Sequence, residues 1–198
     1  MKQIKNIGKP QYKPGTLGSS GYPGLASTAI RIAEYIPKCK RFVEVFAGMG
    51  RVCPHITADE IVLNDMSDYA IDKLKGKFPQ HRVTKKDFVQ CMLDEDDEGT
   101  ILFMDPPWDH LVYGENNKTF CDRKAHEYYE TIMDILPKLK SDWFICSDVK
   151  ERYTRKILEK SGYPLLDIKS NKKLMGGVIQ TRVISNKNFT RYNQETLF

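Results

Sequence analysis

The feature that most constrains the fold is an alternation of short apolar runs with stretches of helical spacing. Seven runs are strand candidates, and they lie at 41–46, 60–65, 82–87, 100–105, 142–148, 163–169 and 178–185. Helical spacing is found at 24–37 before them, and between them at 67–77, 124–140 and 149–161. Strands that alternate with helices at this spacing form βαβ units. The sequence therefore predicts an α/β fold, in which helices cover both faces of a mostly parallel sheet.

The last two strand candidates depart from this alternation. The interval between them, residues 170–177, is too short for a crossover helix. A short connection joins antiparallel strands, so an antiparallel hairpin is predicted at one edge of the seven-stranded sheet. The length suits one domain, which we expect over 24–185. A basic arm rich in Gly and Pro is expected at 1–23, and a C-terminal tail at 186–198.

Charge is distributed unevenly along the chain. The net charge is +5, but five acidic residues are clustered at 94–98, so the rest of the chain carries +10. The stretch 168–194 contains no acidic residue. A basic surface suits a polyanionic partner such as nucleic acid, although surface lysines that serve solubility explain the charge equally well. The 16 residues between Phe88 and Asp105 include this cluster, and an acidic loop there would repel phosphate and is not expected to read DNA.

The cysteines and the hydropathy exclude several classes of protein. The five cysteines are widely spaced, with no CxxC pair and no histidine pairing nearby. This pattern predicts neither a disulfide framework nor a zinc site, and no metal is expected. No signal peptide and no apolar stretch of membrane length is present, so we expect no membrane association and a soluble, intracellular (cytoplasmic) protein.

Several strand candidates end in polar or glycine residues, and in such sheets ligands bind beyond the carboxyl ends of the strands. The first leads into "FAGMG", where Gly48 and Gly50 permit a tight turn and a close approach to a ligand, although a lone GxG also fits an ordinary turn. The second ends at Asp65, whose carboxylate can accept both ribose hydroxyls of a nucleoside. The third ends in Asp87 and Phe88, an acid for an adenine amino group and a ring for its face, although Asp87 alone more often caps a helix. Together these features predict a site for S-adenosylmethionine.

The fourth strand candidate runs into "DPPW", which suits the methylation of an exocyclic amine on a nucleobase. That amine is a poor nucleophile because its lone pair is delocalised into the ring. The Asp105 carboxylate and the Pro106 carbonyl can accept its two hydrogens, and Pro106 and Pro107 restrict the backbone that presents them. Trp108 offers a flat face on which an extruded base can stack. The alternative is a strand exit with a Pro-Pro turn and a half-buried tryptophan.

In their order along the chain, "FVEVFAGMG", "LND", "KDF" and "DPPW" resemble the Dam-type family of adenine-N6 DNA methyltransferases, with further similarity at Phe120, His126 and "FICSD". The resemblance implies a Rossmann-like methyltransferase fold and transfer of a methyl group from S-adenosylmethionine to the N6 amine of adenine in DNA. It implies Asp105, Pro106, Pro107 and Trp108 as catalytic residues. The residues expected to contact the cofactor are Tyr22, Pro23, Gly24, Glu44, Phe46, Ala47, Gly48, Gly50, Asp65, Met66, Asp87, Phe88 and Asp105.

Two departures from the family pattern leave other functions open. The family's "PGGK"-like segment is represented by "GYPGLAST", which has no lysine, and the target-recognition insert between the "DF" and "DPPY" motifs is missing. Target specificity would then come from the basic arm, from 113–124 or from the lysine-rich hairpin at 169–173. RNA is a second acceptor, since mRNA adenosine methyltransferases also use "DPPW", although there it precedes the glycine turn. A third hypothesis is a non-catalytic nucleic-acid-binding module with a degenerate cofactor pocket.

The final residues contain one more motif. Gln194, Leu197 and Phe198 resemble the short peptides that dock into DNA sliding clamps, where a glutamine and a terminal apolar pair fill a surface pocket. Three matches in so short a segment arise easily by chance, and a frayed terminus is the alternative. A sliding clamp is therefore an expected partner only if this motif is functional.

Overall fold

The seven predicted strands form one sheet in a computed structural model, which describes residues 28–107, 125–148, 152–174 and 177–192. The strands are β1 Cys39–Glu44, β2 Ala58–Asn64, β3 Arg82–Thr84, β4 Thr100–Met104, β5 Asp142–Asp148, β6 Leu165–Leu174 and β7 Gly177–Ser185. Their order across the sheet is β3-β2-β1-β4-β5-β7-β6. The pairs β1–β2, β1–β4, β2–β3 and β4–β5 are parallel, and β7 is antiparallel to both β5 and β6. The predicted α/β architecture and edge hairpin are confirmed.

The helices are α1 Ala29–Ala33, α2 Asp68–Lys77, α3 Phe88–Asp94, α4 Ala125–Ile135 and α5 Arg152–Lys160, with short 3-10 turns at Cys53–His55 and Leu136–Lys138. The ends of α2 and α5 lie close to the predicted ones. The single helix predicted over 124–140 is found as two elements, α4 and a 3-10 turn that contains Pro137. The helix predicted over 24–37 is shorter, and residues 24–27 lie outside the described ranges.

Most of the interval between Phe88 and Asp105, expected to be an acidic loop, is regular structure, because it contains most of α3 and all of β4 and only residues 95–99 connect them. Asp87 caps this helix, because its carboxylate accepts a hydrogen bond from the amide of Val89. Phe88, Cys91 and Met92 are buried on one face of α3. The acidic stretch therefore begins in the last turn of a helix, and two further contacts tie it to the fold. Glu95 is bound by both terminal nitrogens of the Arg82 guanidinium, each at 2.7 Å.

The core consists of two layers, one on each face of the sheet. Successive residues of a strand point to opposite faces, so Phe42 and Val43 of β1 belong to different layers, as do Ile101 and Leu102 of β4. Residues of α1 and α2 pack in one layer, and residues of α3, α4 and α5 pack in the other. All five residues of β4 are buried, and burial on both faces accounts for the apolar run of its last four residues. The predicted covering of both faces by helices is confirmed.

Residues 186–192 return across the sheet to α1. The Phe189 ring packs edge-on against Tyr35 and against Phe144 of β5. Downstream, the amide of Tyr192 donates a 2.6 Å hydrogen bond to the carbonyl of Glu34. The first half of the expected tail is thus held against the domain, while Gln194, Leu197 and Phe198 lie outside the described residues.

Candidate functional site

The glycine turn after β1 adopts backbone angles that favour glycine. Gly48 has φ +52° and Gly50 has φ +60°. A Cβ atom on Gly50 would also lie 2.6 Å from a ring carbon of Phe78 on the neighbouring α2 side. Left-handed backbone and lack of space together exclude larger residues at Gly50. The GxG pattern therefore marks a tight turn at the carboxyl edge, as predicted.

Asp65 is fixed to this turn by backbone amides. One carboxylate oxygen accepts a 2.8 Å hydrogen bond from the amide of Gly48, and the other accepts one of the same length from Ser67. Burial raises the pKa of Asp65, and the hydrogen bonds from the amides oppose that rise. A carboxylate oxygen has more than one lone pair, so each can still accept a ligand hydroxyl. Asp65 can therefore still make the predicted hydrogen bonds to ribose hydroxyls.

Asn64, just before Asp65, joins the ends of three strands. Its side-chain nitrogen donates to the carbonyls of Val45 and Lys86 at 3.1 and 3.0 Å. Its side-chain oxygen accepts hydrogen bonds from the Thr84 hydroxyl and the Lys86 amide. Sequence analysis did not single out this residue, although a buried asparagine at a strand end is a signal for such a role.

Glu44, at the end of β1, is a buried carboxylate beside the turn, with only 3% of its surface exposed. One oxygen accepts a hydrogen bond from the amide of Val52, the residue that precedes the 3-10 turn Cys53–His55. The side chain of Val52 makes no capping hydrogen bond to this turn. The other oxygen is buried, and the amide and thiol of Cys53 lie near the carboxyl group. Burial raises the pKa of Glu44 to about 7, and the charge of Asp105 contributes to that rise.

The segment after β4 reaches the same edge. β4 lies beside β1, with Phe103 opposite Glu44, so Asp105 emerges next to the glycine turn. Asp105 and Pro107 are half-buried, and Pro106 is buried. Burial raises the pKa of Cys146 on β5, and the charge of Asp105 adds to the rise. The structure thus brings Asp105 close to both Glu44 and β5, whereas Trp108 lies outside the described residues.

An aromatic cluster borders the turn. The rings of Phe46 and Phe88 stack with centroids 5.3 Å apart, and Tyr128 of α4 packs edge-on to Phe46 at 5.8 Å. Phe88 is only 3% exposed, whereas Phe46 is half-buried. Phe46 is thus the more accessible of the two rings predicted to contact the cofactor. Sequence analysis missed Tyr128, because its role depends on the packing of α4 against the turn.

Of the remaining predicted residues, Ala47, Met66 and Asp87 lie in the described part of the chain, and the others lie outside it. Ala47 is buried, and its amide donates to the carbonyl of Asn64 at 2.7 Å. Met66 is 54% exposed beside Asp65. Asp87 lies at the same edge as the cap of α3, the alternative that sequence analysis had left open. Tyr22, Pro23 and Gly24 lie outside the described residues, as does Phe120.

In 28–107, 125–148, 152–174 and 177–192, no group of three His, Cys, Asp or Glu side chains is arranged to hold a metal ion. No helix within those ranges is long and apolar enough to cross a membrane.

Comparison by sequence finds no matching family profile and no match among curated proteins. Solved structures do match the fold. An rRNA methylase from Streptococcus thermophilus has a TM-score of 0.52 at 12% identity, covering 81% of this chain and 94% of that one. A TehB-like SAM-dependent methyltransferase from Corynebacterium glutamicum has 0.51 at 14% identity, covering 83% and 90%. The protein SMU.1697c from Streptococcus mutans, in complex with SAH, has 0.52 at 12% identity, covering 80% and 95%. The chain has the Rossmann-like fold of these methyltransferases.

Proposed function

We propose that this protein is an S-adenosylmethionine-dependent methyltransferase whose acceptor is the exocyclic N6 amine of adenine in DNA. The observation that carries the proposal is the meeting of two segments at one sheet edge. The glycine turn, pinned to Asp65 by the 2.8 Å hydrogen bond of Gly48, lies beside the Asp105–Pro106 segment that follows β4. The first segment suits a nucleoside cofactor, and the second suits a planar amine.

The residues of the turn fit S-adenosylmethionine. Asp65 offers acceptor lone pairs for ribose hydroxyls, and the positive φ angles of Gly48 and Gly50 leave room for a close approach. Glu44, buried at the same edge, adds a second carboxyl group close to the turn. S-adenosylmethionine, when bound, supplies a methyl group on a positively charged sulfur. Similarity in fold to a protein that binds SAH supports the same choice.

Asp105 and Pro106 are assigned the acceptor side of the reaction. The Asp105 carboxylate and the Pro106 carbonyl each accept one hydrogen of the target amine, which draws its nitrogen towards tetrahedral geometry and frees the lone pair. With the cofactor bound, the nitrogen–carbon bond would form as the sulfur–carbon bond breaks, the electron pair of that bond would leave on the neutral sulfur of S-adenosylhomocysteine, and the proton released by the amine would pass to water. Proline restricts the backbone at 106 and 107, so the two oxygens are oriented before the reaction begins. Trp108 is proposed to stack on the target base.

RNA is the second candidate acceptor, and the similarity in fold to an rRNA methylase favours it. Incubation with labelled S-adenosylmethionine and DNA or RNA of matched sequence separates the two acceptors. Mass spectrometry of the digested nucleosides then identifies the methylated atom. Methylation of RNA alone would replace DNA as the acceptor, and failure of the cofactor to bind in calorimetry would favour a non-catalytic module.

The mechanism is tested by Asp105→Ala. We expect kcat to fall about 100- to 1,000-fold, the loss typical when a preorganised electrostatic group is removed, while calorimetry shows that the cofactor still binds. The matched control is Asp59→Ala, which removes an exposed aspartate near the start of β2, at the other end of the sheet. Full activity in the Asp105→Ala variant would refute the assigned mechanism.

A further inference from the structure

The hairpin formed by β6 and β7 extends beyond the rest of the sheet at the carboxyl edge. Pairing between β5 and β7 ends at Asp148 and Thr181. Pairing between β6 and β7 continues to Leu174 and Gly177. The strand segments 169–174 and 177–180 therefore form a two-stranded ribbon, which we name the β6–β7 ribbon. Its β7 strand continues roughly 13 Å past the end of β5 at the usual rise per residue.

The β6–β7 ribbon starts close to the candidate site. β5 lies between β4 and β7 in the sheet, so two strand spacings, about 10 Å, separate the ribbon from the strand that leads into Asp105. β6 is parallel to β5 because both are antiparallel to β7, so the ribbon leaves the sheet at the edge where β4 and β5 end. A partner held by the ribbon would therefore lie beside Asp105.

The ribbon is basic, and it is bent. It carries Lys169, Lys172 and Lys173 and no acidic residue. Between Lys169 and Lys173, four steps along β6 are matched by two steps along β7, from Gln180 to Val178. Extra residues on one strand form a bulge, and bulges bend a ribbon and increase its twist.

We propose that the β6–β7 ribbon enters the major groove of duplex DNA and presents the target adenine to Asp105. The major groove of B-form DNA, about 12 Å wide, admits a two-stranded β-ribbon, whereas the major groove of A-form RNA is too deep and narrow. Three lysines without an acidic neighbour on the ribbon complement the phosphates along that groove. This inference rests on the proposed function and assigns the target-binding element that the short interval between "KDF" and "DPPW" leaves open.

The test compares two triple variants with equal loss of charge. The ribbon variant is Lys169→Gln, Lys172→Gln and Lys173→Gln. The control is Lys38→Gln, Lys138→Gln and Lys140→Gln, three exposed lysines near the starts of β1 and β5. Affinity for a short duplex DNA is measured against salt concentration. Each phosphate contact contributes about 0.9 to the slope of log K against log salt, so the slope should fall by up to about 2.7 in the ribbon variant. In the control variant the slope should change by less than about 0.9, the contribution of one phosphate contact.

Further measurements distinguish failure of the ribbon proposal from a folding defect and from failure of the proposed function. The variant Lys169→Arg, Lys172→Arg and Lys173→Arg retains the charge and should restore the slope. Equal changes in the ribbon and control variants would overturn the proposal, as would equal affinity for duplex RNA. If the ribbon variant matches the control while Asp105→Ala still abolishes methyl transfer, the ribbon proposal fails and the proposed function stands. A ribbon-dependent slope without any methyl transfer by the wild-type protein supports the ribbon and contradicts the proposed function.

Discussion

The carboxylates at the two ends of the sheet are held in different ways. In its amino-terminal half, Glu60 accepts hydrogen bonds from Arg41 and Arg82 at 2.6 and 3.0 Å, and Glu95 binds Arg82 with both oxygens. At the carboxyl edge, backbone amides hold Glu44 and Asp65. The pKa shifts have opposite signs: hydrogen bonding by Arg41 lowers the pKa of Glu60, whereas burial raises those of Glu44 and Asp65.

This difference separates stabilising acids from acids that suit a ligand. Arginine partners offset the cost of removing a carboxylate from water, so acids near the amino ends contribute to stability. Amides offset that cost less completely, so burial of acids at the carboxyl edge weakens the fold but leaves oxygen lone pairs for a ligand. The same residue types thus act differently at the two ends of the sheet.

The largest expected effect is the loss of stability in Glu95→Ala. Glu95 is 4% exposed, and its removal leaves Arg82 without its bidentate partner. Breaking a buried pair costs about 3–5 kcal/mol, and partial exposure of Arg82 reduces this to about 3 kcal/mol in urea unfolding. Glu98→Ala, the removal of an exposed acid from the same stretch, is the control and should change stability by less than about 0.5 kcal/mol. A loss below about 1 kcal/mol for Glu95→Ala would show that the amino-terminal acids are not stabilising.

A smaller effect is expected in the pH dependence of Glu44→Gln. The pKa of Glu44 is raised to about 7 in the folded state, so the folded protein binds more protons between the unfolded value and pH 7. Stability is therefore lost as pH rises through this window, by on the order of 2 kcal/mol from Glu44. Glutamine does not titrate and still accepts from the Val52 amide, so urea unfolding at pH 5 and pH 8 should differ less in the variant.

Glu60→Gln is the matched control for this pH effect. The pKa of Glu60 is lowered, so its contribution is present above the unfolded value and is lost as pH falls through the folded value. The Glu60→Gln variant should therefore be less stable than the wild type by a constant amount between pH 5 and 8, so its pH dependence in that window is unaltered. The difference in stability between the two proteins should shrink below about pH 4.5. An unchanged pH dependence in Glu44→Gln would contradict the description of Glu44 as a buried acid.

The smallest effect is expected for Asp65→Asn. Asparagine has one acceptor oxygen, so the amide of Gly48 or of Ser67 loses its partner and a ribose hydroxyl loses a charged acceptor. We expect affinity for S-adenosylmethionine to fall about tenfold in calorimetry, about 1.4 kcal/mol, with a smaller change in unfolding free energy. Asp68→Asn, an exposed position at the start of α2, makes the same change in charge and should bind normally. Equal affinity in both variants would remove Asp65 from the predicted cofactor site.

The sequence by itself determined the features that depend on neighbouring residues. Apolar periodicity predicted the strands, because the run from Thr100 to Met104 can be buried on both faces only in a central strand. The glycine turn and the rigid Asp105–Pro106 segment could also be predicted from the sequence, because φ preferences and missing N–H groups are properties of single residues. The expectation that ligands bind at the carboxyl edge followed from the predicted parallel sheet alone.

Only the tertiary structure decided how distant segments meet. It showed that Tyr128 packs against Phe46 and that the β6–β7 ribbon extends past β5. Neither of these facts has a local signal, because each depends on contacts between residues far apart in the chain. The same acidic residue type can cap a helix, bind an arginine or face a ligand, and only its three-dimensional surroundings select among these roles.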